Sequence, residues 1–141
     1  MTDFDGVEAR LRAILDPYRD RLVATVDGPG GLSLYLPGLA DKPHGYVCGV
    51  RRGKKYVSFY LMPVYAFPET TESASSALLA RRQGKSCFNF AKVDEALIGE
   101  LADITGRSIE RYIAAIAAGA GPFGDAARFE PARVALAQSA G

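Results

Sequence analysis

The chain has 141 residues, 48% hydrophobic and 23% charged, with 17 Lys and Arg against 16 Asp and Glu for a formal charge of +1. These values exclude wholesale disorder, and they argue against roles that need a strongly basic or acidic field, general nucleic-acid binding above all. About two thirds of the unfolded surface of such a chain can be buried, so one core suffices without a disulfide or metal staple.

The opening MTDFDGVEARLRAIL has acids before its first apolar residues and no long apolar run, which reads as neither a secretory signal nor a spanning helix and points to a cytoplasmic protein without a membrane partner. Phe4, Val7, Leu11 and Ile14 recur at helical spacing, so the segment is expected to be an amphipathic helix lying on a sheet. Thr2 or Asp3 can cap it, Asp5 suits its positive end, and Pro17 stops it.

Leu22 to Val26 and Leu32 to Leu36 are short β-prone runs about the turn Asp27-Gly28-Pro29-Gly30-Gly31, a first hairpin. Pro37 to His44 is polar and irregular. Gly45 to Phe67 then forms a central hairpin around which the chain is organised. Alternation places Tyr46, Cys48 and Val50 on one face of its first arm and Val47, Gly49 and Arg51 on the other. In the second arm Tyr56, Ser58 and Tyr60 oppose Val57, Phe59 and Leu61, and the purely apolar set belongs under the helices. Arg51, Arg52, Lys54 and Lys55 form the basic tip, with Gly53 free to supply a positive φ.

Met62 to Glu69 carries Pro63 and Pro68 and reads as an ordered loop. Ser73 to Arg82 reads as a short helix ended by Gly84, and Ser86 to Phe90 as a further strand with Cys87 and Asn89 opposite Phe88 and Phe90. Asp94 caps a second packing helix through Leu97, Leu101, Ile104, Ile109 and Tyr112. Residues 118–141 are Ala-, Gly- and Pro-rich and read as a tail, able to form one marginal helical turn or to dock a neighbour, beyond a single α+β domain of residues 1–117. The expected architecture is an antiparallel sheet of about five strands packed on an N-terminal and a C-terminal helix.

KKYVSFYLMPVYAFPE (Lys54 to Glu69) and RRQGKSCFNFAKVDEALIGELADITGRSIERY (Arg81 to Tyr112) resemble the YdhG-like family of bacterial proteins of unknown function, over roughly half the chain. The resemblance implies a frataxin-like α/β sandwich. Some frataxin-like proteins are regarded as iron chaperones that use an acidic ridge on the first helix, which would place an intracellular iron-binding role here. Asp3, Asp5, Glu8, Asp16 and Asp20 supply carboxylates of the right type, but Arg10, Arg12, Arg19 and Arg21 are interleaved with them.

Gly84-Lys85-Ser86 matches the end of a phosphate-binding loop, but Leu79 stands where the first glycine belongs and a strand follows. His44 and Cys48 would be about 13 Å apart along an extended strand, too far for proton transfer. One histidine and two distant cysteines, Cys48 and Cys87, supply neither an imidazole cluster nor a zinc motif nor a disulfide framework, so no metal, cofactor or catalytic set is assigned. The basic tip is either solvated or a phosphate or acidic-partner site. The set Tyr46, Cys48, Tyr56, Ser58, Tyr60, Cys87 and Asn89, with Lys85 beside it, is either covered core or an aromatic sheet face for a small molecule or protein partner, a second copy included. The sequence therefore favours a small binding or interaction domain without enzymatic activity, with an iron carrier as the alternative.

Overall fold

The computed structural model describes residues 3–139. Helix α1 (Phe4–Leu15) starts where Asp3 Oδ1 accepts from the Gly6 amide at 2.9 Å, satisfying one of the amides that a helix start leaves without a partner. Thr2, the other expected cap, lies outside the described residues. Pro17 sits in the 3-10 turn that follows, Asp16–Tyr18, where its ring forbids continuation of the helix. The predicted stripe is the buried one: Val7, Leu11, Ile14 and Leu15 all face the core.

Six strands form one antiparallel sheet: β1 (Val23–Gly28), β2 (Gly31–Tyr35), β3 (Tyr46–Arg52), β4 (Val57–Leu61), β5 (Arg82–Gln83) and β6 (Cys87–Phe90), in the order β1-β2-β3-β4-β6-β5. The fold class is α+β. The added strand is β5, taken from the end of the segment expected to be helical. There α3 covers only Ser76–Leu79, capped by Ser75. The Arg81 carbonyl instead accepts from the Asn89 amide, and Arg82 pairs with Phe88. Gly84, at φ +66°, closes this small hairpin in a conformation open to glycine.

Helix α4 (Glu95–Ala117) begins at Asp94, whose Oδ1 accepts from the Leu97 amide at 3.2 Å, and it lies beside α1 on one face of the sheet. Between the layers, Leu32, Leu34, Val50, Val57, Phe59, Leu61, Phe88 and Phe90 meet Leu97, Leu101, Ile104 and Ile109, all buried. Each such side chain contributes about 1.5–3 kcal/mol on leaving water, so the two faces of the hairpin sort on this difference alone.

Two segments are more regular than expected. Met62–Ala66 is a five-residue helix, α2, with Pro63 in its first turn, followed by a 3-10 turn at Pro68–Thr71. Proline is at home there because the amide it lacks would have had no partner. The segment read as a tail carries regular structure: Pro122–Gly124 is a 3-10 turn and Glu130–Ser139 is a ten-residue helix, α5, packed on α4. Phe129 and Ala132 are buried and Leu136 packs against the same core, a stripe at i, i+3 and i+7. Gly38, at φ +83°, lets this segment close in, since a Cβ there would stand 2.5 Å from the Pro131 carbonyl oxygen.

Candidate functional site

The face of the sheet away from α1 and α4 carries the tyrosines, but not by simple alternation. Leu34 pairs with Cys48 while the next residue, Tyr35, pairs with Tyr46, so Val47 is extra and β3 is bulged. The bulge separates Tyr46 from Cys48. Tyr46 lies over Gly49, where a Cβ would come within 2.4 Å of its hydroxyl, and its ring meets Tyr35 at 5.4 Å and Tyr60 at 6.5 Å between centroids. Cys48 points the other way, opposite Leu34 and Leu61, and is fully buried. It is therefore a core residue and not part of the open face.

Ser58, Asn89 and Cys87 come together as alternation expected. The Ser58 hydroxyl donates to Asn89 Oδ1 at 2.7 Å, the Cys87 thiol reaches the same oxygen at 3.3 Å, and Asn89 Nδ2 donates to Gln83 Oε1 at 2.9 Å. Tyr56 precedes β4 in the turn and is 37% exposed, away from this network. Burial pushes both thiols up, Cys48 most of all, while hydrogen bonds from Ser58 and Tyr60 pull Cys87 partly back. Thiolates are the reactive form. A thiol-exchange reagent is accordingly expected to label one cysteine, Cys87, slowly in the folded protein and both in urea; rapid labelling of both in the folded state would contradict the placement of Cys48.

The basic tip divides in the same way. Arg51, Lys54 and Lys55 are exposed, whereas Arg52 shares the face of Val50 and turns onto α1. It pairs with Asp5, and its Nε lies 3.1 Å from Glu8 Oε1, close enough for an ion pair though the N–H is not aligned for a hydrogen bond. Gly53 closes the turn without a positive φ, its amide donating to the Tyr56 carbonyl. The α1 acids are thus engaged structurally: Glu8 also accepts from the Gly30 amide at 3.2 Å, and Asp27 on β1 is paired with both Arg12 and Arg19. Among the described residues no three His, Cys, Asp or Glu side chains group as metal ligands would.

Of several concavities of similar or larger volume, the one lined by aromatic rings lies at the end of the sheet where β3 begins. It is a cleft of about 410 Å³ lined by His44, Tyr46, Met62, Tyr65, Tyr112, Phe123, Asp125, Arg128 and Phe129, among others, a size typical of small-molecule sites. Its rings form a connected wall: Tyr65 and Phe123 at 5.3 Å, Phe123 and Tyr112 at 6.5 Å, Tyr112 and Phe129 at 6.2 Å, and Phe129 and His44 at 5.8 Å. Tyr46 joins this wall to the open sheet face. Burial raises the phenols of Tyr46 and Tyr112 above the ordinary tyrosine value, so both are neutral donors well beyond physiological pH.

Phe123 stands out in this wall. It has φ +59° and ψ +17°, the left-handed region, and its side chain is 47% exposed. For a bulky residue that conformation costs about 1–2 kcal/mol. Three glycines at positive φ, Gly119, Gly121 and Gly124, shape the loop that holds it.

Lys85, expected beside the tyrosine face, stands with its Nζ 5.2 Å above the Tyr65 ring. Of the expected face, Tyr46 and Lys85 touch the cleft or its wall, while Tyr60, Ser58, Cys87 and Asn89 extend the sheet surface beyond it. Of the cleft lining only Tyr46 was expected; Pro43, His44, Met62, Tyr65, Tyr112, Phe123, Asp125, Arg128 and Phe129 were missed in the sequence. The available signal was Phe123 and Phe129, two aromatics in a segment otherwise poor in large apolar residues.

No family model, no curated protein and no solved structure matches the chain. Among the described residues no helix is long and apolar enough to cross a membrane.

Proposed function

We propose that the protein is a small-molecule binding domain whose ligand sits in the aromatic cleft between Tyr65, Tyr112, Phe123 and Phe129, with Tyr46 linking that cleft to the open sheet face. The observation that carries this reading is Phe123, an aromatic residue held half-exposed in a backbone conformation that costs energy. Strain of this kind persists where the surrounding structure enforces it, and it clusters at binding sites. Its half-buried ring, set against Tyr65 and Tyr112, returns about 1 kcal/mol of burial and leaves its other side open to the cleft. The frataxin-like kinship enters as part of this proposal on the order of helix, strands and helix, without its iron role, because arginines already hold Asp5, Glu8 and Asp27.

Phe123→Gly tests this directly. Glycine relieves about 1–2 kcal/mol of backbone strain, while the half-buried ring takes away about 1 kcal/mol of burial and the freer unfolded chain about 0.5–1 kcal/mol. Urea unfolding is therefore expected to show a change within about 1 kcal/mol, where a packed phenylalanine would cost about 3–5. A loss in that larger range would make Phe123 a packing residue and remove the support for the cleft as a binding site.

A further inference from the structure

A second surface lies at the end of the sheet opposite the cleft and is independent of it. The formal charge of +1 conceals an uneven spread: residues 51–92 hold eight of the 17 Lys and Arg but only two of the 16 Asp and Glu. Among the described residues, Arg52 alone of these eight forms an ion pair, with Asp5 and Glu8 on α1. Acids on the helical side are held by their own arginines, as Glu95 is by Arg10 and Glu110 by Arg21. The unneutralised cations therefore belong to the rim of the sheet.

Strand pairing gathers five of them at one end. Arg51 stands on the open face beside Ser58, and Lys54 and Lys55 follow in the exposed turn between β3 and β4. Val57 pairs with Phe90, so Lys92, two residues further on, emerges at the same end. The Arg81 carbonyl accepts from the Asn89 amide, which sets Arg81 there too. Like charges gathered in this way create a local positive potential that attracts a polyanion, whatever the charge of the whole chain.

The face beside this rim decides which polyanion. Tyr56 is exposed in the turn, and Tyr60 lies part-buried on the open face two residues beyond Ser58. Between the rings and the cations, Ser58, Asn89 and Gln83 form a hydrogen-bonded chain across β4, β6 and β5 that ends on the exposed Gln83 amide. An acidic peptide would use the cations alone, and a duplex keeps its base faces in the stack. Unpaired nucleotides use all three groups, with phosphates on the cations, base faces on the tyrosines and base edges on the amides.

We infer that this end of the open face binds single-stranded nucleic acid, with phosphates on Arg51, Lys54, Lys55, Arg81 and Lys92 and bases on Tyr56 and Tyr60. The five residues of β4 span about 17 Å, room for about two or three stacked bases.

The test is fluorescence anisotropy of a labelled thymidine oligonucleotide of about ten nucleotides, titrated with the full chain at several salt concentrations. The same strand annealed to its complement and a glutamate peptide of equal charge are the competitors. The single strand is expected to bind at least about tenfold tighter than either, and its log affinity to fall with log salt at a slope of about −3, about −0.7 for each phosphate held. Lys54→Gln with Lys55→Gln should weaken binding and reduce that slope by about 1 to 1.5. Tyr60→Leu and, in the exposed turn, Tyr56→Leu should each weaken binding about tenfold and leave the slope unchanged. Arg107→Gln, on the helical side, should change neither.

Duplex or glutamate peptide bound as tightly as the single strand overturns the assignment, the latter outcome leaving a site for acidic peptides. Full affinity in both tyrosine variants, or an equal loss in Arg107→Gln, overturns it as well. No binding at low salt removes this site and leaves the reading of the cleft untouched.

Discussion

Phe59→Ala is expected to lower the stability of the protein by about 3–5 kcal/mol, the range for removing a fully buried phenylalanine. Phe59 is completely inaccessible, and the register sets it between Val50 on β3 and Phe88 on β6, under the two-helix layer. Its neighbours on the sheet are fixed by backbone ladders on both sides, so the cavity left by the ring cannot close by a small shift of one strand. Urea denaturation should show a lower midpoint with an unchanged slope. A loss below about 1.5 kcal/mol would contradict a core built on this face of the hairpin.

Phe129→Ala should have a comparable local effect and a different signature. Phe129 is 3% exposed, packs edge-to-face on Tyr112 and His44, and begins the apolar stripe of α5. The cost cannot exceed what holds α5 in place, because beyond that point the segment detaches while the sheet survives. Hydrogen exchange is expected to show lost protection through residues 130–138 with β3 and β4 still protected, together with loss of one wall of the cleft. Unchanged protection in α5 would mean that its seat does not depend on this ring.

The sequence was most informative where one period runs uninterrupted. Val7, Leu11 and Ile14, and later Leu97, Leu101 and Ile104, repeat at helical spacing beside a capping aspartate, so both packing helices and their starts could be read directly. Val57, Phe59 and Leu61 against Ser58 and Tyr60 likewise fixed which side of β4 faces the helices. Alternation failed at β3 because a bulge is one extra residue, and nothing in Tyr46-Val47-Cys48 marks which residue is extra until β2 is laid beside it. That single insertion kept Tyr46 on the open face and sent Cys48 into the core.

The cleft was hidden for a different reason. Its walls come from four separated segments, His44 to Tyr46, Met62 to Tyr65, Tyr112 and Phe123 to Phe129, and the last was masked by its alanines and glycines. The stripe of α5 runs through Ala132, which weighs little in any apolar period although it is fully buried. Arg82 and Gln83 became strand because the β6 edge offered partners, a long-range gain that local composition does not record.

The most direct test is amide chemical-shift mapping of the full chain with a panel of small fragments, aromatic and non-aromatic and of each charge. The account predicts that the fragments that bind shift His44, Tyr46, Tyr65, Tyr112, Phe123 and Phe129 as one contiguous set and leave the Arg51, Lys54 and Lys55 tip unmoved. Shifts confined to that tip, or to the face of Ser58, Cys87 and Asn89 without the cleft, would contradict it.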